Sequence, residues 1–70
     1  MTRETFIRIA RSVVRNFNPE DIERPIQNTS LDSMDLLLLR SALESETGQL
    51  LTDEQWFATQ SLQSLLEQLR

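Results

Sequence analysis

Apolar residues recur at helical spacing along most of this chain, and no stretch shows the two-residue alternation of a half-buried strand. From Arg3 to Phe17, the residues Phe6, Ile9, Ala10, Val13 and Phe17 share one side while Arg8, Arg11 and Arg15 fall on another. That pattern predicts a first amphipathic helix over 3–17. Asn18-Pro19 is expected to end it, because a proline pushes the preceding residue out of the α region, and Pro25 prevents its resumption. Asn18-Pro19-Glu20-Asp21 can start a single helical turn with proline at the first position. The rest of 18–32 reads as a long loop anchored by Ile22, Ile26 and Leu31, and loops of that length in a small domain tend to carry function.

A second helix is predicted from Asp32 or Ser33 to about Thr47, with Asp32 as N-cap, Asp35 in a capping-box-like position and Gly48 as the residue that closes it. Ser33 then occupies the first helical position with its side chain free to face solvent. Leu36, Leu39 and Leu43 form the expected core stripe, while Met34, Leu37 and Leu38 lie at its margins or beyond. Four consecutive leucines cannot share one face, so at least one should be exposed near Ser33, as a docking surface would be. Thr52-Asp53-Glu54-Gln55 starts a brief third helix carrying Trp56 and Phe57, both read as packing residues. Ser61 caps a last helix with Leu62, Leu65, Leu66 and Leu69 as its stripe. The prediction is an all-α protein with three main helices, one short helix and a long first loop, in a single domain over 1–70.

Composition narrows the chemistry. Seventy residues supply one modest core. Cysteine, histidine and lysine are absent, which removes disulfides, thiolate metal sites and the usual general base, so neither an enzyme nor a metal protein is expected. No apolar run approaches the length of a membrane span and the first residues do not resemble a secretory signal, so the expectation is a soluble, cytoplasmic chain without a membrane partner. The net charge of −4 is unevenly spread. Residues 1–17 carry four arginines against Glu4, giving +3, whereas 18–54 carry nine acids against Arg24 and Arg40, giving −7. The basic first segment lacks an aromatic platform and reads as a solvated face or as the partner of the acidic middle, not as a nucleic-acid surface.

Ser33 is therefore the polar residue with the clearest chemical use. A hydroxyl at a helix N-terminus lies where backbone N–H groups and the helix dipole favour an anionic substituent such as a phosphodiester. The run Leu31-Asp32-Ser33-Met34-Asp35 with its following leucines, then Leu43-Glu44 and the short and final helices, resembles the acyl and peptidyl carrier protein family over essentially the whole chain. The resemblance implies a four-helix, acyl-carrier-like bundle in which Ser33 accepts 4′-phosphopantetheine from coenzyme A. Asp32 is the neighbouring acid in that motif and Met34 fills the apolar position after the serine. Implied partners are a phosphopantetheinyl transferase, an acyltransferase or adenylating loading enzyme, and a downstream synthase or transferase, with the carrier acting as a monomer. Many carriers have glycine where this chain has Ser30, and Leu38 stands where a glutamate is frequent, so docking through Asp32, Met34, Asp35, Leu37 and Leu38 should be more hydrophobic than in fatty-acid synthesis. The resemblance thus suggests a free-standing carrier of polyketide or nonribosomal-peptide biosynthesis, with acyl or aminoacyl cargo. The alternative is a small helical interaction domain that binds a partner without modification.

Overall fold

A computed structural model describes residues 1–69; Arg70, the last residue of the predicted domain, lies outside them. Four α-helices follow one another: α1 (Arg3–Val13), α2 (Ser33–Thr47), α3 (Asp53–Ala58) and α4 (Leu62–Gln68), with no strand among the described residues. The all-α bundle of three longer helices and one short one is therefore the architecture, and α1 packs directly against α2. Its radius of gyration, 10.7 Å, matches the roughly 11 Å expected of a folded chain this long, so the long loop wraps the bundle closely.

The helix α1 starts where Thr2 caps the Thr5 N–H, but it stops at Val13, four residues before the predicted end. Three local features account for this. The Ser12 hydroxyl bonds back to the Ile9 carbonyl at 2.6 Å, Val13-Val14 is a β-branched pair of low helix propensity, and Asn16 takes the left-handed conformation with φ 61°. The turn this makes swings both Val14 and Phe17 into the core, while Val13, assigned by periodicity to the stripe, is only partly covered.

The segment 18–32 is more ordered than a plain loop. Asn18 caps a 3-10 turn at Pro19–Ile22, as the local sequence predicts, and a second 3-10 turn spans Ile26–Asn28. Ile22 is fully buried, and Ile26 and Leu31 pack against the core from its margin. The Ile26 N–H donates to the Gln60 carbonyl at 3.0 Å, within a single antiparallel bridge between Pro25 and Ser61 that fastens the segment to the start of α4.

Phe6, Ile9 and Ala10 of α1, Leu39 and Leu43 of α2, and Leu62, Leu65 and Leu66 of α4 make up most of the core, with Leu69 just beyond α4 also buried. Burying each such leucine contributes about 1.5–3 kcal/mol, so these side chains dominate the stability of so small a domain. Leu36 does not join them. It points the same way along α2 as Leu43, but it is left half-buried on a groove that it lines together with Trp56 and Phe57 of α3. Phe57 also departs from expectation. The two aromatics of α3 are neighbours about 100° apart around the helix and face different surroundings. Trp56 packs against the core and Phe57 is 80% exposed.

Candidate functional site at the start of the second helix

Asp32 and Asp35 form the predicted capping box. The Asp32 carboxylate accepts the Asp35 N–H at 2.8 Å, and the Asp35 carboxylate accepts the Asp32 N–H at 3.4 Å. The Asp32 carbonyl takes the Leu36 N–H at 3.0 Å. Two N–H groups of the first turn, those of Ser33 and Met34, remain without a partner among the described residues. Ser33 itself is exposed at the first helical position, and its hydroxyl makes no hydrogen bond among the described residues. Because Asp32 caps the helix, the serine is spared that role.

At the other end of α2, Gly48 enters the left-handed region with φ 70°, as the sequence predicts, and its N–H returns to the Glu44 carbonyl at 3.0 Å. The Thr47 hydroxyl bonds the Leu43 carbonyl at 2.7 Å and accepts the Gln49 N–H at 3.1 Å, so a polar residue closes this end without apolar bulk.

One face of α2 carries Ser33, Leu36, Leu37 and Arg40, spaced three or four residues apart. Together with Trp56 and Phe57 of α3 they line an open groove of about 430 Å³ with Ser33 at its edge. A second groove of about 870 Å³ continues from it, sharing Leu36, Trp56 and Phe57 and running between α3, the start of α4 and the 3-10 segment. Met34 and Leu37 line this groove and are each 60% exposed, which puts apolar surface beside Ser33; Leu38 is exposed on α2 but does not line the groove. Asp32 is exposed and Asp35 half-exposed, so the two acids flank this patch while their carboxylates hold the cap. All six residues singled out in the sequence therefore lie on one end of α2.

Other residues were not legible as part of this region. Arg40 reaches across to α3, donating to the Leu51 carbonyl at 2.6 Å and to the Asp53 carboxylate at 2.9 Å, with its guanidinium 5.7 Å from the centre of the Trp56 ring. Glu44, one turn further along, accepts the Leu51 N–H at 2.7 Å. These two side chains grip both polar groups of one peptide residue and so fix the height of α3 and the wall of the groove. The i, i+4 spacing of Arg40 and Glu44 would have suggested a pair with each other; their shared partner is a loop backbone. Asp21, by contrast with these half-buried side chains, is buried; Arg24 donates to it at 3.1 Å and the Ser30 hydroxyl at 3.5 Å, which ties the first 3-10 turn to the approach of α2. Of the arginines in the first segment, Arg3 pairs with Glu23 of the acidic middle at 3.4 Å, whereas Arg8, Arg11 and Arg15 are exposed and unpaired among the described residues.

No group of three metal-ligating side chains comes together among the described residues, and no helix there is long and apolar enough to cross a membrane. Comparison with protein-family models, curated proteins and solved structures gave no match.

Proposed function

We propose that this chain is a carrier protein of the acyl and peptidyl carrier type, which holds its cargo on a 4′-phosphopantetheine arm at Ser33 and presents it to biosynthetic enzymes. The observation that carries this reading is the exposed, unpartnered hydroxyl of Ser33 at the first position of a helix whose cap is already complete. A phosphodiester on that oxygen fits the site. The free N–H groups of Ser33 and Met34 and the positive end of the α2 dipole favour its charge, and the groove beside it offers room for a chain. Asp32 and Asp35 remain bonded to the backbone, so the helix stays capped when the new charge arrives.

When bound, the group supplies a terminal thiol that this cysteine-free chain lacks, able to hold an acyl group as a thioester. In the attachment step the Ser33 oxygen attacks the phosphorus of coenzyme A that bears the pantetheine. The new O–P bond forms as the pyrophosphate bridge breaks, adenosine 3′,5′-bisphosphate leaves, and the hydroxyl proton passes to the transferase. The transferase is the natural acceptor of that proton, because the chain has no histidine or lysine and the carboxylates of Asp32 and Asp35 are engaged in the capping box. In this reading the chain is not an enzyme and acts as a monomer, with a phosphopantetheinyl transferase, an acyltransferase or adenylating enzyme and a later synthase or transferase as its successive partners. The acids of the middle segment steer basic surfaces toward it, and Met34, Leu37 and Leu38 supply apolar contact on arrival. Weak docking suffices, because tethering raises the local concentration of the cargo.

Incubation with coenzyme A and a broad-specificity phosphopantetheinyl transferase is expected to raise the intact mass by one phosphopantetheinyl group, and Ser33→Ala to abolish the gain. An unchanged mass with a transferase active on a control carrier would overturn the proposal. The exposed Met34, Leu37 and Phe57 favour a second reading, a small interaction domain that needs no modification. Binding of one defined partner with equal affinity by the wild type and Ser33→Ala, together with an unmodified mass in the host, would support it instead.

A further inference from the structure

The arginines of the first segment do not behave alike. Arg3 reaches the Glu23 carboxylate and the Pro19 carbonyl, and so joins the basic segment to the acidic middle. Arg24 pairs with Glu20 and Asp21, and Arg40 with Asp53. Arg8, Arg11 and Arg15 are exposed and meet no acid among the described residues. The unpaired guanidinium groups of the described residues are thus gathered on one element. Arg8 and Arg11 stand three residues apart on α1 and leave the same face, about one turn from each other. Arg15 follows Val14, whose N–H closes the helix on the Ala10 carbonyl at 2.8 Å; Val14 is extended and buried, so the next side chain turns outward.

Stability does not call for this arrangement. Like charges at such spacing repel, and Glu4, one turn before Arg8, forms no ion pair with it. Arg11 alone gains from the dipole, in the last turn of α1. The surroundings of the patch select its occupant. Guanidinium forks bind carboxylates and phosphates through two parallel hydrogen bonds. A lipid surface would also need apolar side chains to insert, yet Phe6, Ile9 and Ala10 of α1 are buried in the core. A nucleic acid would be repelled by the acids of residues 18–54 and would find no aromatic ring on the exposed face of α1 to stack against. A short acidic stretch of a protein meets neither obstacle.

We propose that Arg8, Arg11 and Arg15 form a docking site for a short, carboxylate-rich segment of a partner protein. No residue of α1 lines either groove, so this surface is separate from the Ser33 end of α2, and it serves whether or not Ser33 is modified.

The probe is a fluorescent, alanine-based helical peptide with three glutamates on one face, compared with a peptide of the same composition whose glutamates are spread around the helix. With the intact chain at low ionic strength, anisotropy is expected to show tighter binding of the clustered peptide. That peptide should shift the NMR side-chain Nε–H signals of Arg8, Arg11 and Arg15 and leave those of Arg3, Arg24 and Arg40 in place. Replacing the three arginines together by glutamine should weaken binding roughly tenfold, the sum of a few exposed ion pairs, while thermal unfolding stays at or above that of the wild type. Ser33→Ala should bind as the wild type does. Equal affinity for the two peptides, undiminished binding by the triple variant, loss of binding in Ser33→Ala, or no binding at low salt would overturn the proposal. Tighter binding of a DNA duplex or of phosphatidylglycerol vesicles than of the clustered peptide would overturn it in favour of a nucleic acid or a membrane, and self-association that the triple variant loses would assign the patch to a second copy instead.

Discussion

The availability of Ser33 depends on its two neighbours. Asp32 and Asp35 form the capping box between themselves, which leaves a serine hydroxyl that is neither a cap nor a core hydrogen bond. Asp32→Ala should therefore lower the stability of the domain by about 1 kcal/mol, as measured by urea titration followed through Trp56 fluorescence. Ser33→Ala should leave the same titration within about 0.5 kcal/mol of wild type, because it breaks no contact. A large loss for Ser33→Ala would show that the serine carries structural weight. These roles were legible in the sequence, since a capping side chain bonds its own backbone three residues away and needs nothing from the rest of the fold. Arg40, Glu44 and Asp21 were not, because the partners that define them come from other segments.

Among the elements, α2 has two populations of leucine that differ only in the direction they face. Leu39→Ala should cost about 2–5 kcal/mol through the cavity it leaves, whereas Leu37→Ala should stay within about 0.5 kcal/mol, both read from the same denaturant titrations. Equal costs would mean that the exposed edge of α2 is packed. The sequence placed Leu39 and Leu43 correctly by period but misplaced Leu36, because periodicity gives a direction around the helix and not the height of the helix opposite. The same gap hid the exposure of Phe57. The early end of α1 at Val13 has a related cause: a chain that continued helically to Phe17 would have matched the pattern equally well, and the turn at Asn16 prevails by burying Val14 and Phe17 together. The segment 18–32 is fastened at a few points, so its amides should exchange faster than those of Leu39–Leu43 in α2, with Ile26 the slowest of the segment because of its bond to Gln60. Uniform protection across 18–32 in a hydrogen-exchange experiment would contradict this.

The molecule as a whole is a small helical scaffold that spends its core on holding α1, α2 and α4 together and leaves one end open. At that end a free hydroxyl, an apolar rim and a pair of grooves come together, while the acidic middle of the chain supplies the long-range field. The composition reads the same way: without cysteine, histidine or lysine the chain has little reactive chemistry of its own, and a borrowed thiol would give it one. The most direct test of that claim is the mass spectrum of the protein isolated from its own cells, with collisional ejection of any attached arm. The carrier account predicts a 4′-phosphopantetheinyl group on Ser33, released on collision together with its acyl load. A protein recovered wholly at its unmodified mass while its pathway is active, with Ser33 bare, would contradict it.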